Sequence, residues 1–264
     1  MAIVKKKVFD CAMLNLYAVV HFVSTILLAL GIGRNGNIPY FTADNTNLIF
    51  LIILSVVFLM FAIYNSGYIK TLDCSDKKIG HYSFRIMVFV LAMTGTILSS
   101  NLGIAWVFVE ATTLSSAYLI YFNKTKHSIE AAWKYVFICS IGIALAFVGI
   151  IFLNIAQGDI NTLDFAQLYK NAALFDPFWL KLSFVFMLFG FGTKMGLAPV
   201  HFWLPDAHSE APSPISALLS ATLLNSAFLV IVRVFKVLDI AQCDSWARIM
   251  LLITGFISLF VTAV

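Results

Sequence analysis

The sequence predicts an all-α polytopic membrane protein with about eight transmembrane helices, one of them discontinuous. Of 264 residues, 61% are hydrophobic and only 11% charged, whereas soluble domains carry roughly 25% charged residues. Apolar runs of about 20 residues recur along the chain, the length that crosses a bilayer core as a helix. A β-barrel would show shorter alternating segments instead. Four of the six prolines (Pro199, Pro205, Pro212, Pro214) fall inside one apolar stretch, Phe186 to Val237. Helix breakers at membrane depth are tolerated only where the freed backbone is buried in protein or lines a cavity.

Taken in order, the first span covers about 11–33 and closes at the turn signal Gly31 to Pro39. The basic MAIVKKKVFD before it is followed by a run long enough to span, with no small-residue cleavage site, so no signal peptide is expected. The second covers about 46–69, the third about 85–100, and the fourth, about 102–122, holds Glu110. The fifth, about 131–156, holds Lys134, and an amphipathic connection covers 157–177. The sixth, about 178–209, is unusually long and breaks near 196–199, where Gly196 ends the helical pattern and Pro199 turns Ala198 away from α geometry. The seventh covers about 213–236, with Ser213 as the expected N-cap and Pro214 at the first helical position. The eighth covers about 246–264.

Lys5, Lys6, Lys7, Lys70, Lys77, Lys78, Arg85, Lys124 and Lys126 fall on one side of these spans. The fewer cations of the other side are interspersed with Asp44, Asp159, Asp164, Asp176, Asp239 and Asp244. The excess of Lys and Arg places the N-terminus in the cytoplasm.

The charges inside the bilayer are the candidates for function. A lysine in the middle of an apolar helix costs at least ~2.5–3.5 kcal/mol on insertion scales and is read as functional and paired. Lys194 is such a residue, and Glu110 lies near the middle of its own span. A lone carboxyl at that depth favours its neutral form, while a neighbouring ammonium favours the charged one. A Glu110–Lys194 pair is therefore poised between states, as a proton relay requires; the alternative is a static ion pair. Lys134 lies nearer a helix end and serves either as a relay or as an anchor that snorkels to the interface.

His201 and His208 bracket HFWLPDAH, and histidine hands protons on near neutral pH. Asp206, His208 and Glu210 are expected at the cytoplasmic mouth, as proton acceptors or simply as a solvated helix end. A metal site from His201, Asp206, His208 and Glu210 is disfavoured, since Pro205 interrupts any regular helix that would present all four, and no cysteine is near. The four cysteines are scattered without CxxC spacing and read as packing residues.

KMGLAPVHFWLPDAHSEAPSPISALLSATLLN resembles the signature of the antiporter-like membrane subunits shared by respiratory complex I, Mrp antiporters and group 4 membrane-bound hydrogenases. VEATTLSSAYLIYF, EAAWKYVFICSIGIALAFVGI and LLNSAFLVIVR are most similar to hydrogenase-4 component F. The resemblance implies a fold of two inverted five-helix repeats, each with a discontinuous helix. The first repeat would cover about 85–236, with two helices before it and one after. It matches Glu110 and Lys194 to the family's glutamate–lysine pair, Lys134 to the lysine one helix before the break, and His201 and His208 to the signature histidines.

The chain departs from the family pattern at Asn225, where complex I subunits commonly continue the proton path with lysine. An amide holds water but carries no proton as an ammonium does, so passage there would need water or Arg233. The second repeat is absent, which implies either a separate chain that supplies it or a truncated product. No nicotinamide or flavin fingerprint, iron–sulfur cysteine cluster or nucleophile–base set is present, so no cofactor, no metal and no catalysis by this chain are expected. Electron transfer would fall to partner subunits. The function expected is a proton-translocating membrane subunit of a redox-driven complex in a prokaryotic cytoplasmic membrane, with other membrane and peripheral subunits and lipid as partners and no nucleic acid. The alternatives are an Mrp-like secondary cation/proton antiporter subunit and a truncated structural subunit without transport.

Overall fold

The computed structural model describes residues 2–34, 38–72 and 74–263, with side chains from residue 9 onward except residue 262. Eleven α-helices occupy most of the described chain: α1 (Ala2–Ala29), α2 (Asn45–Thr71), α3 (Asp76–Leu98), α4 (Leu102–Ile120), α5 (Lys126–Gln157), α6 (Phe165–Asn171), α7 (Pro177–Met195), α8 (Trp203–Glu210), α9 (Ser213–Leu218), α10 (Leu224–Ile240) and α11 (Asp244–Ala263). A π-helical turn, Leu219–Leu223, joins α9 to α10 within one span. Eight helices among the described residues are long and apolar enough to cross a membrane.

Several helices exceed the apolar runs that announce them. α1 starts at Ala2 and α3 at Asp76, because helical backbone continues through polar first turns that the bilayer does not require. The connection at 157–177 contains α6 and two short 3-10 turns. Helix starts are set by short polar side chains that accept from otherwise orphaned amides. Asp44 accepts from Asn47 N, Asn101 from Gly103 N and Ile104 N, Thr125 from Ser128 N, and Asp176 from Phe178 N and Trp179 N ahead of Pro177. α3, α8, α9 and α10 start without such a bond; at α9 the cap position is Pro212, so Ser213 is the first helical residue and not the N-cap.

Packing is closest between α5 and α7. A Cβ built on Gly190 would lie 2.5 Å from the Ala146 amide nitrogen, so the α7 backbone rests directly on α5. Lipid tails are as apolar as leucine, and membrane helices associate through such close contacts of small residues. Gly190→Val is expected to force the two helices apart at a cost of about 1–3 kcal/mol, typical of overpacking. The measurement is the thermal unfolding midpoint in detergent, and a midpoint equal to wild type would refute the tight contact.

Two hydrophobic clusters divide the bundle. One gathers α1–α3 with Leu119, Ile120, Ala131, Tyr135, Cys139, Trp203 and the start of the α9–α10 span. The other gathers Ala105, Val109, Ile143, Ala146, Phe184, Phe191 and most of α10. Along α4 and α5 the residues between the clusters are Glu110, Thr113, Ser116 and Ser140, which form a polar layer at mid-depth.

Candidate functional site

The break in the sixth span places a lysine at this layer. α7 stops at Met195, Gly196 takes φ +83°, and Leu197 N donates to Gly192 O at 2.8 Å while Gly196 N donates to Thr193 O at 3.4 Å. This is a Schellman closure, and glycine adopts the left-handed conformation at no steric cost. The break runs from Gly196 to Phe202, wider than 196–199, before α8 resumes at Trp203. Side chains partner the backbone at the break and in the last turn of α7: Ala198 N donates to Ser258 Oγ at 3.1 Å, and Trp203 Nε1 donates to Thr193 O at 2.8 Å. Lys194 thus lies in the last turn of α7, where the negative end of the helix dipole favours a cation.

Lys194 is 0% exposed. Its Nζ donates to Thr113 Oγ1 at 2.9 Å and to the Tyr135 hydroxyl at 2.5 Å. Thr113 Oγ1 in turn donates to Glu110 Oε2 at 3.3 Å, and Ser140 Oγ donates to Glu110 Oε1 at 3.1 Å. Tyr135 shares a 2.6 Å hydrogen bond with Ser116 and packs its ring 4.9 Å from that of Trp203. The expected Glu110–Lys194 contact is therefore indirect: the two charges make no ion pair, and Thr113 stands between them. Thr113, Tyr135 and Ser140 carry no sequence signal of their own, since hydroxyls in apolar helices commonly bond back to their own turn.

The remaining candidates fall into separate groups. Lys134 is half-exposed and pairs with Glu130 at 2.8 Å and Asp206 at 2.9 Å. With Glu210, which accepts from Thr125 Oγ1 at 3.3 Å, these line a polar cleft of about 120 Å³ at the α5–α8 corner. His201 stacks on Phe202 within the break, and its Nδ1 is buried without a partner among the described residues. Asn225 donates to Ala221 O in its own helix at 2.7 Å. Among the described residues no direct hydrogen bond joins Lys194 to either histidine or to Asn225. Among the described residues no group of three or more His, Cys, Asp or Glu side chains is arranged to hold a metal ion.

Arg233 does not serve Asn225. It is 4% exposed and bonds Asn47 Oδ1 and Ser99 O, with Ile97 O at 3.5 Å and Asp44 Oδ2 at 3.7 Å, under the Phe165 ring. These partners lie at the bundle end where α2 starts and α3 stops. There Thr42 N donates to Leu98 O and Phe165 N to Ser100 O.

His208, in α8, bonds Ser216 at 2.7 Å.

Among the described residues, eight candidate spans, a broken helix and a mid-depth lysine–hydroxyl–carboxylate network define a polytopic membrane protein of the kind that builds its sites at discontinuous helices. The chain belongs to the NADH:quinone oxidoreductase/Mrp antiporter transmembrane family, whose model matches residues 99–264. It is 33% identical over 238 residues to the hydrogenase-4 component F homolog of Methylacidiphilum infernorum, covering 85% of this chain and 48% of that protein. It is 33% identical over 205 residues to the Na(+)/H(+) antiporter subunit A1 of Staphylococcus saprophyticus, covering 76% of this chain and 24% of that protein. Its fold is that of a chain in the membrane-bound sulfane sulfur reductase, an archaeal respiratory membrane complex, with a TM-score of 0.77 at 20% identity over 96% of this chain and 56% of that one. The chain thus spans about half or less of the length of the curated relatives it matches.

Proposed function

We propose that the chain is a proton-translocating membrane subunit of a redox-driven complex, related to membrane-bound hydrogenases and complex I. The observation that carries this reading is the hydrogen-bonded line from Lys194 through Thr113 to Glu110 beside a broken helix. In the transfer step an N–H bond of the Lys194 ammonium breaks as an O–H bond forms on Thr113. The original Thr113 proton passes to Glu110, leaving a neutral amine, a neutral carboxylic acid and an unchanged hydroxyl. The line is reset for another proton once the Thr113 hydroxyl has turned back toward Glu110, Lys194 has taken up a proton and Glu110 has released one. Each charge state of one partner biases the other, because Coulomb coupling across a few ångströms of protein interior is strong.

In this reading the N-terminus faces the cytoplasm of a prokaryotic cell, and the five-helix unit at about 85–236 is the transporting module. Lys134, Asp206 and Glu210 collect protons at the mouth; His201 and His208 pass them on, and electron transfer occurs on partner subunits. Identity to an Na(+)/H(+) antiporter subunit A1 favours a second reading, an antiporter subunit that works without redox partners. Mild-detergent purification with mass spectrometry separates the two. Hydrogenase or quinone-reductase subunits that co-purify support the first reading. Small membrane antiporter subunits alone, with sodium-dependent proton flux and no electron donor, replace it with the second.

A further inference from the structure

A groove of about 440 Å³ opens on the outer surface of the bundle between α4 and α5, apart from every residue used above. The small side chains of Ala117 and Ala132 leave the room, and Val136, Tyr118, Tyr121 and Trp133 surround it. Trp133 is 70% exposed with nothing packed over it. Tyr118 and Tyr121 sit at the C-terminal end of the fourth span and Trp133 near the start of α5, so the aromatic residues mark the depth where membrane helices meet headgroups.

Four cations gather at the same end. The Arg85 guanidinium lies 4.1 Å from the Tyr118 ring centre, and Lys78 Nζ lies 4.3 Å from that of Phe122, next to Tyr121. Lys124 is exposed in the turn that joins α4 to α5, and Lys126 is exposed at the first position of α5. Lys126 and Trp133 share one face of α5, seven residues apart. None of the four has a carboxylate partner among the described residues, and nearby Glu130 is committed to Lys134.

An apolar groove alone does not distinguish one occupant from another inside a bilayer, because acyl chains are as apolar as leucine side chains. The cations do: a net anionic headgroup is attracted by each of them. A zwitterionic headgroup brings its own ammonium into the same positive field. We propose that this groove binds an anionic phospholipid, with one acyl chain between α4 and α5 and the phosphate held by Arg85, Lys78, Lys124 and Lys126.

The test is lipid retention by the purified complex in nanodiscs made with equal amounts of phosphatidylglycerol and phosphatidylethanolamine. Phosphatidylglycerol is expected to be enriched on the wild type, and R85Q/K126Q to lower that enrichment about tenfold. Ala132→Phe, which fills the groove and leaves every cation in place, should lower it as well. Equal retention of the two lipids, or enrichment that neither variant changes, overturns the proposal. So does a structure of the complex in which a helix of another subunit occupies the groove.

Discussion

Glu110→Gln is expected to reduce coupled proton transport by the assembled complex by roughly 10²-fold or more, the low end of what a positioned proton-transfer group contributes. The amide keeps the size of the side chain; its one oxygen still accepts from one of the two hydroxyls and its nitrogen can donate to the other, so the fold survives. What disappears is the charge that alternates with that of Lys194. Thr113→Val tests the link itself. It keeps Glu110 and Lys194 but removes the hydroxyl that accepts from one and donates to the other. Transport should fall nearly as far in this variant and recover in Thr113→Ser. Proton uptake in proteoliposomes, driven by the native electron donor, is the measurement. Wild-type rates in Thr113→Val would show that protons do not pass through this hydroxyl, whereas wild-type rates in Glu110→Gln would remove the whole relay.

Arg233→Ala is expected to have the largest effect on stability, about 3–5 kcal/mol, as when one partner of a buried charged network is removed. The side chain converges on the start of α2, the end of α3 and the start of α6, through Asp44, Asn47, Ser99 and Phe165. Its loss leaves the Asn47 amide oxygen and the Ser99 carbonyl without this donor in a dry environment, where an unmet acceptor is costly. Arg233→Lys should rescue little, because a single ammonium does not reproduce a planar fork that reaches several acceptors. Unfolding midpoints in detergent read both variants. An Arg233→Ala midpoint equal to wild type would assign this residue to conduction instead of to holding the helix ends.

The spans were legible because each apolar run must exceed the bilayer thickness, and the break was legible because Gly196 and Pro199 punctuate it. The polar starts of α1 and α3 were not, since helix outside hydrocarbon leaves no hydropathy signal. Glu110 and Lys194 stand out as charges in apolar text, but their separation by Thr113 depends on how α4, α5 and α7 pack. Tyr135 and Ser140 look like any hydroxyl-bearing residue of a membrane helix until packing brings them to the site. Arg233 suggested a route past Asn225, yet at eight residues' remove it lies more than two turns along the helix and binds elsewhere. Nothing in LLSATLLN marks a wider turn, because π geometry is a response to the neighbouring helices and not a property of those residues.

That wider turn acts as an angular offset. One extra residue in a helical turn rotates everything after it by about 100° relative to an uninterrupted α-helix. The Leu219–Leu223 turn precedes Asn225, Ser226 and Arg233, so it decides which compass direction each of them points. Straighten it, and a neighbour of Arg233 would face Asn47 and Ser99 while the guanidinium swung toward the helix flank. The seventh span therefore encodes the bearing of its polar residues partly in its length: a one-residue deletion there would change no functional side chain and still misdirect them all.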